Sequence, residues 1–443
     1  MFRFFLFLIA FVLILFLSFF IINNSFDISV EIKDFIYSIS SEYIFFILLL
    51  CFVIFFIVQG SYFKIKFGLK KFSINKKMKK KEKGYNAFLS GMIALANKDY
   101  KTAISESKEI SYHIDDNPSL SLLLKSEIYK IEKKYDQLRD VYEEMARNKN
   151  TENLAFRGIM EQYLRAQDYH HAFIYGEKLF NNNPYIEKIY DALVNIVVKT
   201  TNWQQLIIIS DKAFSKKLIS KKVYEENKSI AYFEISKIKQ PSAIKESIVF
   251  IKKALNLRNY FPPYVKLYLE LLIENKDYNL AKKYIKKIWN NRPHNDYKSI
   301  IQSLAFGLNI DYFDLVKFII ANNINNDESK ILMVEAAIEL KKWEKARREI
   351  KPLLGVHPSR EICILMARIE EGDEGSIEKI NSWNFRSKNG IEKNAWICLF
   401  SNKSQDHWSS VSSGGYFNSL EWRQPTMLNS DNFPRDIFLN EDK

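Results

Sequence analysis

Six short segments of this chain repeat one pattern, and that pattern constrains the fold more than any other feature. They are Asn97-Lys-Asp-Tyr100-Lys-Thr-Ala103, Glu132-Lys-Lys-Tyr135-Asp-Gln-Leu138, Ala166-Gln-Asp-Tyr169-His-His-Ala172, Thr200-Thr-Asn-Trp203-Gln-Gln-Leu206, Asn275-Lys-Asp-Tyr278-Asn-Leu-Ala281 and Leu340-Lys-Lys-Trp343-Glu-Lys-Ala346. Each is a polar turn, an aromatic, and a small or apolar residue three positions on. The aromatics stand 35, 34, 34, 75 and 65 residues apart, so each large gap has room for two units. The poorer copies are expected near Ser242–Leu255 and Phe313–Val316.

Apolar residues at helical spacing precede each turn, as in Ala87–Ala96, Leu122–Ile131, Ile159–Leu164, Val265–Ile273 and Ile331–Ile338. Pro118, Pro184, Pro293 and Pro358 stop several of the helices that follow. A helix, a turn, a second helix and a stop every 34 residues or so is the signature of a tetratricopeptide-like array. The aromatic is expected to pack between the two helices of its unit, with the small residue letting their backbones approach. One such pair cannot cover its own apolar face, so seven or eight stacked units would bury a continuous core and leave a concave surface. Only 13 Gly and 10 Pro occur in 443 residues, too few turn-formers for an all-β fold.

The amino terminus follows a different rule. No charge occurs from Phe4 to Phe26, and about residues 4–22 form a run long enough to span hydrocarbon. A second uncharged run covers about residues 43–63 and ends at Tyr62-Phe63, aromatics of the type found at a membrane boundary. Between them lie Asp27, Glu31, Asp34 and Glu42 against Lys33. After them come Lys64, Lys66, Lys70, Lys71, Lys76, Lys77, Lys79, Lys80, Lys81 and Lys83 against one acid, Glu82. Basic flanks stay cytoplasmic, so the reading is a two-span hairpin with a periplasmic loop, cytoplasmic repeats and lysines at anionic lipid. Nucleic acid is the weaker reading of this lysine run, because it directly follows an apolar span, and no nucleic-acid partner is expected.

No phosphate-binding glycine loop, dinucleotide fingerprint or zinc-protease pair occurs. The three cysteines, Cys51, Cys363 and Cys398, lie too far apart in sequence for a metal knuckle. His113, His170, His171, His294, His357 and His407 fall mostly near prolines and turns, where solvated positions are expected. The chain therefore reads as a non-enzyme without cofactor or metal, whose partners are proteins. Asn86, Arg157 and Lys266 are candidate first-helix surface contacts. Near Gly372 the repeat pattern stops. Trp383, Trp396, Trp408 and Trp422 then cluster in a Ser/Asn-rich tail, which suggests one or two short strands around an aromatic knuckle packed on the last helices. Residues from Met427 onward are expected to be flexible. The fold class is thus all-α, with spans in 1–63, a Lys-rich segment 64–83, repeats over 84–370 and an aromatic-rich tail over 371–443.

The order of hairpin, lysine run and the opening Gly84-Tyr85-Asn86-Ala87 to Gly91, followed by helical repeats, resembles the HemY family of proteobacterial inner-membrane proteins. The tail is similar to that family's closing segment through Trp396-Ile-Cys398, Trp408, Phe417-Asn-Ser-Leu420-Glu-Trp422 and Pro425. That resemblance implies a role in a late step of haem (porphyrin) biosynthesis. Some relatives carry a zinc ribbon in the tail; here Cys398 stands among serines (Ser401, Ser410, Ser413), so a four-thiolate site cannot be built. The LapB-type adaptors of lipopolysaccharide assembly or proteolysis have a similar plan, with one membrane helix and a cysteine-bearing ribbon. A tetrapyrrole-binding chaperone is a further alternative.

Overall fold

The computed structural model describes residues 2–24, 27–32, 35–115 and 117–425, in two compact units, Met1–Lys133 and Lys134–Lys443. The tail from Met427 lies outside the described residues.

In the first unit, helix α1 (Phe2–Asn23) is followed by strands β1 (Asp27–Ile32) and β2 (Phe35–Ser40), paired antiparallel with Ile32 opposite Phe35. The loop expected between the apolar runs is thus partly a hairpin, for which Ile28, Val30 and Ile32 supply the alternation of a strand. Helix α2 runs unbroken from Ser41 to Ala96. The second apolar run, the lysine segment and the first repeat helix, expected as three pieces, are one 56-residue helix, because nothing between Gly60 and Gly84 breaks it. Among the described residues α2 is the one helix long and apolar enough to cross a bilayer; the apolar stretch in α1 is Val12–Ile21. Helices α3 (Tyr100–His113) and α4 (Ser119–Ile131) complete the unit around Ala94, Ala103, Ile110, Leu124 and Ile128.

The second unit begins with α5 (Tyr135–Met145) and continues as pairs. These are α6 (Glu152–Arg165) with α7 (Tyr169–Asn182), α8 (Ile189–Lys199) with α9 (Trp203–Ser215), and α10 (Lys221–Lys239) with α11 (Ile244–Leu257). Next come α12 (Pro262–Glu274) with α13 (Tyr278–Asn291), α14 (Lys298–Leu308) with α15 (Tyr312–Ile320), α16 (Asp327–Glu339) with α17 (Trp343–Ile350), and α18 (Arg360–Gly372) with α19 (Ile377–Lys388). The two degenerate copies are the pairs holding α11 and α15. Pro184, Pro293 and Pro358 all fall between pairs. A three-stranded sheet of order β4-β3-β5 closes the unit, with β3 (Ala395–Cys398), β4 (Ser404–Gln405) and β5 (Leu420–Arg423) antiparallel.

One backbone device makes the six recognised turns. Two residues before each aromatic, Lys98, Lys133, Gln167, Thr201, Lys276 and Lys341 adopt φ between 53 and 62°, the left-handed region. In five of the turns the next residue's N–H bonds back to a carbonyl five residues earlier, as Asp99 does to Ala94 and Asp277 to Leu272, both at 2.8 Å. This closes the first helix as a Schellman motif. The same residue then opens the second helix. Asp99 and Asp168 accept from the N–H groups of Thr102 and His171 at 3.1 Å, and Asn202 accepts from Gln205 at 3.4 Å.

Candidate partner-binding groove

The structure places the repeat residues in two classes. Ala103, Leu138, Ala172, Leu206, Ala281 and Ala346, three positions after each aromatic, are all buried. Among the aromatics only Trp203 is buried; Tyr100, Tyr169, Tyr278 and Trp343 are half-buried, and Tyr135 is 41% exposed. Four of these rings reach forward to the next pair rather than lying between the helices of their own. The Tyr135 hydroxyl accepts from Arg165 Nη1 at 3.0 Å, and that of Tyr169 from Lys199 Nζ at 3.4 Å. The Tyr278 ring covers Gly307, and Trp343 covers Gly372. The small residue governs the approach within a pair, so the ring is left to seal the joint with the following one.

The ten lysines at 64–83 all project from α2, exposed except for half-buried Lys80, which pairs with Asp115 at 3.3 Å. Asn86 and Arg157 are exposed and Lys266 half-buried; Arg157 pairs with Glu161 on its own helix at 3.0 Å. The lysines and Asn86 lie on α2 of the first unit, Arg157 on α6 and Lys266 on α12 of the second.

The tail meets α18 through Lys393 and Glu361 at 3.5 Å, and its aromatics reach further back along the chain. Trp408 is buried against Phe233 of α10 and Phe261 and Tyr264 at the start of α12, with ring centroids 5.3, 5.1 and 5.8 Å away. Trp396 stacks edge-on to Phe261 at 5.9 Å and donates from Nε1 to the Asp296 carboxylate at 3.4 Å. Asn418 donates to Glu226 at 3.2 Å across 192 residues of sequence. The aromatic knuckle thus packs against α10 and the start of α12. Trp396 and Trp408 are buried there, which no local periodicity could have revealed.

His294, between α13 and α14, differs from expectation, and Cys398 of the tail stands among serines as expected. His294 is buried, not solvated: it lies 4.5 Å from Trp422, and its Nδ1 accepts from the Asp296 N–H at 3.2 Å. Burial pushes its pKa down to about 4, against the pull of Asp296. Cys398 is buried with its Sγ 3.5 Å from Ser412 Oγ and 3.4 Å from Ser419 Oγ. Burial raises this thiol, but the serine hydroxyls outweigh it and bring it to about 6.

Beside the sheet a groove of about 420 Å³ opens, lined by Glu335, Arg360, Glu361, Arg368, Glu392 and Lys393 among others. Its floor is a charge cluster. Lys298 Nζ lies 3.0 Å from Glu335 and 3.3 Å from Glu361, and Lys393 reaches Glu361 at 3.5 Å. Burial holds the Glu335 and Glu328 carboxyls above their ordinary range; for Lys298 the carboxylates outweigh burial and raise it. The groove thus carries groups of both signs, with Glu335 and Glu361 held by Lys298 and Arg360 paired with Glu392 at 3.9 Å on the surface. The sequence pattern missed this cluster because Lys298 sits on the degenerate repeat.

No protein-family model matches the chain, and no curated protein does. Among solved structures, the chain is similar to the Naa15/Naa10 assembly bound to HypK-THB at 14% identity and a TM-score of 0.37, over 73% of this chain and 56% of that one. It thus spans little more than half of that protein's length. It is also similar to the TPR2AB domain of yeast Sti1 in complex with pHSP90 at 11% identity and a TM-score of 0.28, over 71% and 99% of the two chains. A tetratricopeptide repeat protein from Parabacteroides merdae gives 14% and 0.25, over 56% and 99%. With six turns of one backbone form and paired helices between them, the chain has a tetratricopeptide-like helical-repeat fold.

Proposed function

We propose that this chain is a membrane-anchored, non-enzymatic scaffold that docks partner proteins at the cytoplasmic face of a bacterial inner membrane. The observation that carries this reading is the mixed-charge groove on the repeat array, whose side chains are held by the buried Lys298 cluster. Anchoring draws on the apolar part of α2, where Phe46, Ile57 and Val58 stand exposed, and on the lysines that follow. The resemblance to the HemY family directs the partners to late haem biosynthesis. A scaffold would act there by raising the effective concentration of enzymes that hand on an insoluble porphyrin.

A second reading, a LapB-type adaptor for envelope assembly or proteolysis, is favoured by two observations: one helix long and apolar enough to span among the described residues, and a three-stranded knuckle holding Cys398. Crosslinking in native membranes with a photoreactive residue at Ile364, on the same groove, separates the two. Recovery of haem-pathway enzymes supports the first, and recovery of lipopolysaccharide-assembly proteins or a protease the second. A crosslink pattern unchanged by Arg360→Glu and Arg368→Glu would sink the groove as the docking site. A Soret band on the purified chain mixed with haem would instead point to tetrapyrrole binding.

A further inference from the structure

Where α3 ends, α2 continues without a neighbour, and the step between them is a recess. Gly84 makes the step possible: a Cβ there would strike Ile114 and His113, so only glycine lets the end of α3 lie on α2. The recess, about 700 Å³, is lined by Phe72, Asn75, Lys76, Lys79, Lys80 and Lys83 of α2 and by Tyr112 and His113 of α3. Lys76, Lys79, Lys80 and Lys83 follow at spacings of three, four and seven, which puts their ammonium groups on one helix face. Lys80 is occupied by Asp115, and its ammonium lies 5.7 Å from the Tyr112 ring. Among the described residues, Lys76, Lys79 and Lys83 have no ion-pair partner. Phe72 and Tyr112 are exposed, at 71% and 72%.

Three cations without an ion-pair partner among the described residues, flanked by two exposed aromatic rings, form a site with two complementary halves. We propose that this recess binds a multiply charged anion that also carries an apolar or aromatic face. The charged groups of the ligand would meet Lys76, Lys79 and Lys83, and its face would cover Phe72 and Tyr112. Such chemistry comes from a lipid headgroup or from a soluble ligand. If residues 43–63 span the bilayer, Lys76 stands 13 residues beyond the boundary, about 20 Å along the helix. Anionic headgroups act over roughly 8 Å at physiological salt, which favours the soluble source. This last step rests on the anchoring reading; the site itself does not.

The test uses the full chain in neutral detergent with pyrenetetrasulfonate, a planar fluorescent polyanion, as probe. Saturable binding is expected, weakened about tenfold or more in Lys76→Gln/Lys79→Gln/Lys83→Gln, since each lysine near an anionic surface contributes about 1 kcal/mol. The control Lys64→Gln/Lys70→Gln/Lys71→Gln removes the same charge outside the recess and should bind as wild type. Equal weakening in both variants, or in neither, overturns the proposal. Gly84→Ala should also lose the probe while leaving helicity unchanged. Displacement by pyrophosphate assigns a soluble ligand, and displacement only in nanodiscs containing phosphatidylglycerol assigns a lipid. Should the chain fail to remain in purely zwitterionic nanodiscs, the anchoring reading falls while the detergent measurement still decides the site.

Discussion

The ring of Trp343, at the first position of α17, lies flat against the backbone of Gly372, at the last position of α18. Tyr278 stands in the same relation to Gly307 two repeats earlier, so at these two places a ring on a glycine joins one pair to the next. Arg347, one turn beyond Trp343, fastens the same joint through both Glu370 oxygens and through Asp373 at 3.0 Å.

A methyl group at either glycine must displace the ring that lies against it. Overpacking of this kind costs about 1–3 kcal/mol, against a gain of about 1 kcal/mol from the better helix former. Gly307→Ala should therefore lose about 1 kcal/mol in denaturant melts. The Tyr278→Leu background, which frees the space, should turn that loss into a gain.

Thr201 holds a β-branched side chain in the left-handed region at φ 53°. Left-handed backbone costs roughly 1–2 kcal/mol for an L-residue, and the added freedom of glycine when unfolded returns part of that. Thr201→Gly is expected to stabilise the protein by about 0.5–1 kcal/mol, read as a higher urea midpoint with unchanged slope.

Because His294 is neutral when folded and titrates only near 4, the unfolded chain takes up its proton first, at about 6.5. Its contribution is complete above 6.5 and declines as pH falls from there toward 4. The carboxylates that folding holds low, such as Glu370, begin to matter only below about 4.3. Melting temperatures should drop between pH 6.5 and 5, and His294→Phe should flatten that interval. An unaltered slope in the variant would refute the assignment.

Lys298 neutralises carboxylates that burial already opposes. Removing one partner of a buried ion pair costs about 3 kcal/mol or more. Lys298→Met should show that loss at pH 7 and a smaller one at pH 5, where Glu335 and Glu328 can take protons. Calorimetry at the two pH values checks the difference.

The turns were legible because their chemistry is local: a polar residue in the left-handed position, an Asp or Asn cap, an aromatic and a small residue on one helix face. The degenerate pairs around α11 and α15 were legible only through the gaps they leave. Three things were not. The unbroken α2 was hidden because a change from apolar to basic composition looks like a boundary, although lysine is a good helix former. The destination of Trp408 was hidden because its partners Phe233 and Tyr264 lie about 150 residues away. The ring-to-glycine joints were hidden because spacing tells which residues share a helix face but not which neighbouring helix they meet.

That long return of the tail has a consequence for biogenesis. A ribosome adding roughly 5–20 residues per second needs on the order of 10–30 s to go from Phe261 to Trp408. Throughout that interval Phe233, Phe261 and Tyr264 wait without their cover on an otherwise finished nascent array. The stretch that covers these rings leaves the exit tunnel long after them, so a stop before Trp408 would leave a sticky middle rather than a trimmed edge.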